Sequence, residues 1–379
     1  MSKKRKIVYV FQGGGALGTF QVGGTEALIE ENYNPDMIVG ISIGGINAAI
    51  LAGNRPEERI QKLKEFWDKI TVDINTFGIR FPFISKEKFE NFWGSQAALL
   101  FGQNGFYKPK IINPCFSVEN QPEELSFYDT TPLKNTLLEL IDFDYLNKGH
   151  VRLCLGVTDL LSGDFSFFDS KKDVITVDHI LASAALPPGF PPIKINDRYY
   201  VDGGVYANTP LSKIFDEISN GDYDNMICFM FDLFSSEGSQ PKTIDGMCER
   251  IKDIQYSSHS KRSTSLYATS QNLSKAIRFL GDKLPDEVKN LPEVQQVLSL
   301  GNVHRLDLVH IIYHSKKGTE LSSKDYNFSK NASSIHYNQG YDITKNVIIN
   351  GKERWNSSKI DYARIYTIDE ENKLVELNI

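Results

Sequence analysis

Two glycine-rich turns, Gly13-Gly14-Gly15-Ala16-Leu17-Gly18 and Gly40-Ile41-Ser42-Ile43-Gly44-Gly45, decide how this chain folds. Each follows a short apolar run, residues 7–11 and 37–41, and each precedes a helical pattern, residues 19–31 and 43–52. Short β-branched and aromatic runs that end at glycine read as buried strands. Strand, helix, strand, helix at this spacing predicts an α/β protein with a parallel sheet. Adjacent parallel strands bring both turns to one sheet edge, where open α/β sheets bind their ligands.

The second turn holds Ser42 between Gly40 and Gly44 at the G-x-S-x-G spacing. That spacing lets a serine sit on a tight strand-to-helix turn with its hydroxyl exposed. The first turn offers backbone amides at Gly13, Gly14, Gly15 and Ala16, the donors that a developing oxyanion needs. Together they point to acyl transfer from an ester to a serine. Gly13, Gly15 and Gly18 also satisfy G-x-G-x-x-G, but a dinucleotide site needs an acid at the end of the second strand. Here that strand ends at Ser42, and Asp36 precedes it. A phosphate loop fails because no Gly-Lys-Ser/Thr follows.

Beyond the turns, residues 56–70 form an amphipathic pattern with Pro56 near its first helical position. Residues 71–135 are irregular and aromatic: Phe77, Phe81, Phe83, Phe89, Phe92, Trp93, Phe101, Phe106 and Tyr107. They read either as a satellite core under long loops or as a lid-like wall beside the serine. Further strands are expected at 152–157, 166–168, 198–201, 225–233 and 306–313, with helices at 179–185 and 247–280. The chain turns polar from about Ser322. The expected organisation is one domain over 1–320, with 71–135 as its insertion, and an extension over 321–379 packed on it.

Composition narrows the class. The 379 residues are 41% hydrophobic, enough for a sizeable core, and the net charge is −6. A general nucleic-acid binder is more often basic, which sets that partner aside. Cys115, Cys154, Cys228 and Cys248 form no CxxC pair, and no His or Cys cluster has zinc spacing, so reduced thiols and no metal are expected. No stretch has the length to span a bilayer. The expected location is cytoplasmic, with at most peripheral membrane contact through the aromatic segment 71–107 and the basic start Lys3, Lys4, Arg5 and Lys6. Oligomeric state is left open.

A serine needs a base. None of His150, His179, His259, His304, His310, His314 or His336 stands in a loop that marks it as one. Asp202 is better placed: it ends an apolar strand, Gly203 and Gly204 let the chain turn sharply, and Asn208 can tie the loop to its own backbone.

At these residues the chain resembles the patatin-like phospholipases. That family is marked by a G-G-G-x-[KR]-G loop, a G-x-S-x-G serine and an aspartate in D-G-[GA], matched in order by Gly13 to Gly18, Gly40 to Gly44 and Asp202 to Gly204. Val157-Thr-Asp-Leu-Leu-Ser-Gly163 and Ala182-Ser-Ala-Ala-Leu-Pro-Pro-Gly-Phe-Pro191 are similar to the family's segments before the aspartate. The resemblance implies a three-layer α/β/α fold with a mainly parallel central sheet. It implies a Ser–Asp dyad without histidine: Ser42 the nucleophile, Asp202 the general base, and Gly13, Gly14, Gly15 and Ala16 the oxyanion region. Gly40, Gly44, Gly203, Gly204 and Asn208 would shape the supporting loops. The implied activity is hydrolysis of a lipid ester (phospholipase A, lysophospholipase or lipid esterase) through an acyl-enzyme, without cofactor. Burial in a dry cleft should raise Asp202 from the ordinary aspartate value of about 3.9. Leu17 stands where the family often carries Arg or Lys; the backbone donors survive that change and a positive charge is lost. The rival readings are an acyltransferase or thioesterase on the same fold, and a catalytically weak lipid-binding relative.

Overall fold

The apolar runs before the two turns become neighbouring parallel strands, β1 (Lys6–Phe11) and β2 (Met37–Gly40), with Phe11 opposite Gly40. A computed structural model describes residues 5–73, 86–111, 121–219, 225–301, 305–315, 320–356, 363–369 and 373–377. Its further strands are β3 (Lys108–Pro109), β4 (Tyr128–Asp129), β5 (Arg152–Asp159), β6 (Phe165–Asp169), β7 (Ile193–Ile195), β8 (Arg198–Asp202), β9 (Asn225–Asp232), β10 (Arg305–Ile312), β11 (Arg364–Ile368) and β12 (Leu374–Leu377). Its helices are α1 (Thr19–Glu30), α2 (Ile43–Ala52), α3 (Arg59–Ile70), α4 (Lys86–Phe101), α5 (Thr131–Leu140), α6 (Phe143–Asn147), α7 (Val177–Ser183), α8 (Ser212–Ser219), α9 (Ile244–Lys283), α10 (Asp286–Lys289), α11 (Pro292–Ser299) and α12 (Lys330–Asn356).

The main sheet runs β12-β11-β10-β9-β1-β2-β5-β8-β7, with β6 pairing β5 off this path. From β11 to β5 every pairing is parallel; β12, β6, β8 and β7 join antiparallel. Alternate residues of the central strands feed two cores. Tyr9, Phe11 and Ile38 pack with Phe20, Ile46, Phe66 and Val347 from α1, α2, α3 and α12. Val8, Val10, Met37 and Val39 pack with Ile214, Ile218 and Tyr267 from α8 and α9. Helices therefore cover both faces, giving the three-layer α/β/α arrangement. Burial on both faces is why these strands read as unbroken apolar runs rather than alternating ones.

Buried ion pairs pin the layers. Arg152 at the start of β5 donates to Asp169 at the end of β6 (2.9 and 2.5 Å) and to Glu217 of α8 (2.6 and 2.8 Å). Lys213 completes the cluster at 2.9 Å from both acids. Burial pushes the Asp169 carboxyl up, but its bonds to Arg152, the Lys171 amide and Lys213 hold it well below the usual carboxylate range.

Three stretches differ from the sequence reading. The amphipathic helix begins at Arg59, with Pro56 in the preceding turn. The irregular segment contains α4 and α5; α4 carries aromatics on more than one side, with Phe92, Trp93 and Phe101 exposed, so no single apolar stripe marks it. Phe77, Phe81 and Phe83 lie outside the described residues, as do Lys3 and Lys4. The polar tail supplies α12 and the two strands at one end of the sheet, β11 and the edge strand β12. Its Trp355 is fully buried and donates to the Tyr33 hydroxyl at 2.8 Å. No helix among the described residues is long and apolar enough to cross a membrane.

Candidate active site

Strand register brings the key residues to one level. Phe11 pairs with Gly40, Gly40 with Leu155, and Val157 with Asp202. Two residues beyond each pairing, Gly13, Ser42 and Val157 stand side by side, and Asp202 arrives opposite Val157 from the antiparallel β8. The convergence follows from register alone, because parallel neighbours advance in step.

Ser42 is the N-cap of α2, at φ 57° and ψ −130°. A side chain rarely adopts this conformation, and its strain persists only where the surroundings over-determine it. Gly40 and Gly44 provide that constraint. A Cβ on Gly40 would lie 2.4 Å from the Gly44 carbonyl, and one on Gly44 would lie 2.6 Å from the Phe11 carbonyl. The G-x-S-x-G spacing is thus the only room for backbones to cross beneath the serine. The Ser42 amide donates to the Ser183 carbonyl at 2.8 Å, fixing the turn to α7. α2 is buried along its length, and its positive N-terminal end faces the serine.

Asp202 is 1% exposed. Its Oδ1 accepts the Gly204 amide at 2.7 Å. Among the described residues, Oδ2 is buried without a partner at hydrogen-bonding geometry. Burial pushes the carboxyl up to about 7, against the pull of the Ser42 hydroxyl and the Gly204 amide toward the charged form. The hydroxyl is the neighbouring donor; such nucleophile–base contacts are commonly loose without substrate and tighten with it.

The first glycine turn lies over Ser42. The Gly13 amide is already used: it donates to the Asn208 carbonyl at 3.3 Å, and Asn208 Nδ2 returns a bond to the Gly13 carbonyl at 2.9 Å. Asn208 therefore clasps the glycine turn rather than its own loop. Gly14, Gly15 and Ala16 keep amides with no protein acceptor among the described residues. Gly15 takes the left-handed φ of 54°, and Leu17 turns into the core, fully buried.

Sequence reasoning missed the polar scaffold beneath. Gln12 Oε1 accepts the amides of Leu233 (2.5 Å) and Phe234 (3.2 Å), while its Nε2 donates to Thr209 (3.0 Å) and the Tyr256 carbonyl (3.1 Å). Gln21 donates to the Gln12 carbonyl at 2.7 Å and accepts from Asn47 at 2.9 Å. Three wholly buried amides within apolar runs were the available signal, since buried polar groups are retained where they are bonded.

A cleft opens over these groups. Gly13, Gly14, Gly15, Ser42, Asp202 and Asn208 form its polar end. Phe106, Tyr107, Phe190, Phe234, Tyr256 and Phe328 wall it with rings. The aromatic insertion thus contributes Phe106 and Tyr107, while its Phe92, Trp93 and Phe101 face solvent. The lining has no histidine among the described residues. His310 is bonded to Asp232 at 3.2 Å and His336 to Glu320 at 3.2 Å; His304 and the side chain of His259 lie outside the described residues.

Comparison with known proteins bears on this arrangement. The patatin-like phospholipase family model matches residues 9–214, and a second model, described as patatin phospholipase, matches residues 254–359. No curated protein matches. Among solved structures, VipD from Legionella pneumophila is 13% identical at a TM-score of 0.36, over 97% of this chain and 72% of that one. With the first match spanning more than half of its length, the chain belongs to the patatin-like phospholipase family of lipid hydrolases.

Proposed function

We propose that this chain is a serine acyl hydrolase acting on lipid esters through a Ser42–Asp202 dyad. Ser42 Oγ attacks the acyl carbonyl carbon, and its proton passes to Asp202. The carbonyl oxygen, now an oxyanion, takes hydrogen bonds from the Gly14, Gly15 and Ala16 amides and from the Ile43 amide in the first turn of α2. Collapse expels the alcohol, which takes the proton from Asp202 and leaves an acyl-serine. Water then attacks that ester, Asp202 accepts its proton, and the fatty acid departs as Ser42 regains its hydrogen. The aromatic walls suit an acyl chain. Exposed Val205 and Tyr206, which follow Asp202 in the chain, and exposed Leu161 in the turn after β5 suit contact with a lipid surface.

One observation carries this reading. A serine held in a left-handed turn lies beside a wholly buried carboxyl raised to about 7, under amides without acceptors among the described residues. A base with that value is half-ionised at neutral pH, where proton transfer is most effective. The test is labelling by a fluorophosphonate probe together with hydrolysis of a lipid panel. Labelling and free fatty acid release are expected in the wild type, with both abolished in folded Ser42→Ala protein. Persistence of either in that variant would overturn the proposal. Product analysis separates acyl transfer to water from transfer to an alcohol.

A further inference from the structure

The cleft is not completed by the chain around its two catalytic candidates. Asp325, Tyr326 and Phe328, from the polar tail, also line it. The Asp325 backbone carbonyl sits directly over Gly15: a Cβ there would lie 2.2 Å from that oxygen. Gly15 is the residue whose left-handed φ sets the directions of the neighbouring amides.

The segment that delivers this carbonyl is held by ionic and polar bonds. Lys252 of α9 donates to the Ser322 carbonyl at 2.7 Å and to Asp325 Oδ1 at 2.8 Å. Lys324, nearly buried, donates to Asp253 at 2.9 Å and Glu249 at 3.1 Å. Ser322 Oγ donates to Asp245 at 2.6 Å, and Asn327 Nδ2 to Asn91 Oδ1 at 2.9 Å. The Phe328 carbonyl accepts the Val72 amide at 3.0 Å. Directional bonds of this kind fix a segment in one place, where apolar packing tolerates sliding.

We propose that residues 320–328 form an anchored strap that sets the geometry of the oxyanion loop, and that Lys252 and Asp325 are positioning residues for the hydrolytic step. The proposal rests on the serine hydrolase reading only for its kinetic readout. Asp325 acts through its backbone carbonyl on Gly15, and Lys252 acts by holding Asp325 from both its carboxylate and the Ser322 carbonyl. Neither touches the reacting atoms.

The experiment uses Lys252→Met, Lys252→Arg and Gly15→Ala in the full chain. For a soluble short-chain ester, Lys252→Met should lower kcat by about 10- to 100-fold, the scale of an ångström-sized misplacement. KM should stay within about 2-fold. Lys252→Arg should recover most of the loss. Hydrogen–deuterium exchange supplies a readout independent of turnover. Peptides covering 320–328 should exchange faster in Gly15→Ala, because the new methyl and the Asp325 carbonyl cannot share the space. Peptides covering 13–18 should exchange faster in Lys252→Met. Ser42→Ala should leave both unchanged. If folded Lys252→Met retains wild-type kcat, or if exchange at each segment ignores the other's substitution, the strap does not set the loop. If the exchange coupling appears in a protein that hydrolyses no ester, the hydrolase reading fails and the mechanical coupling stands.

Discussion

Asp202→Asn should destroy activity and make the protein more stable above neutral pH. Moving the carboxyl from its ordinary 3.8 to about 7 corresponds to about 4 kcal/mol, at about 1.36 kcal/mol per decade. The sign follows from proton binding. The folded state holds this proton more tightly than the unfolded chain, so the group's favourable contribution is complete below the unfolded value. It is lost as pH rises through the folded value of about 7. The residue is 1% exposed, so solvent screening does not reduce the effect. About 2–3 kcal/mol of the loss falls between pH 5 and pH 8. Asparagine keeps the shape and the acceptor for Gly204 but does not titrate. Urea unfolding of both proteins at pH 5, 6.5 and 8 isolates the group, because every other titration cancels in the difference. The stability advantage of the variant should widen by about 2–3 kcal/mol from pH 5 to pH 8. In the wild type, kcat/KM should rise with pH to a half-maximum near 7. Parallel stability curves for the two proteins, or an activity half-maximum near pH 4, would refute the buried-base account.

Ser42→Gly should raise the melting temperature by relieving a left-handed side chain, a gain of about 1–3 kcal/mol, while abolishing turnover. Gly44→Ala should destabilise by at least about 2 kcal/mol in chemical denaturation, because the new methyl would lie 2.6 Å from the Phe11 carbonyl and 2.7 Å from the Gln12 carbonyl. Arg152→Met should cost about 3–5 kcal/mol by leaving Asp169 and Glu217 to share Lys213, and removing Asp169 as well should recover part of it in a double-mutant cycle.

What the sequence made legible was local. The runs ending at Phe11 and Gly40 are punctuated by glycine and buried on both faces, so strand, turn and helix α2 stand out. Ser42 at the strand-to-helix turn follows from the same pattern. The partnership of Asp202 with that level of the sheet was not legible from spacing. It depends on β8 running antiparallel and pairing with β5, a register that no local pattern encodes. Asn208 illustrates the same limit: a short amide beside a turn reads as a local tie, whereas here it clasps Gly13 across the chain. The strap was hidden because its anchors are charged and polar. Lys324 and Asn327 resemble surface residues in composition, yet each is 4% exposed.

The place of β1 in the sheet has a cost during synthesis. It pairs with β2 on one side and with β9, ending at Asp232, on the other. Ribosomes add about 5–20 residues per second, so after Phe11 is made that second neighbour is delayed by on the order of 10–40 s. For that interval an apolar strand has one unpaired edge, the surface most prone to joining the wrong chain. Yield in cells should therefore respond to translation speed and to holdase chaperones, and nascent chains stalled before residue 225 should be the species those chaperones retain.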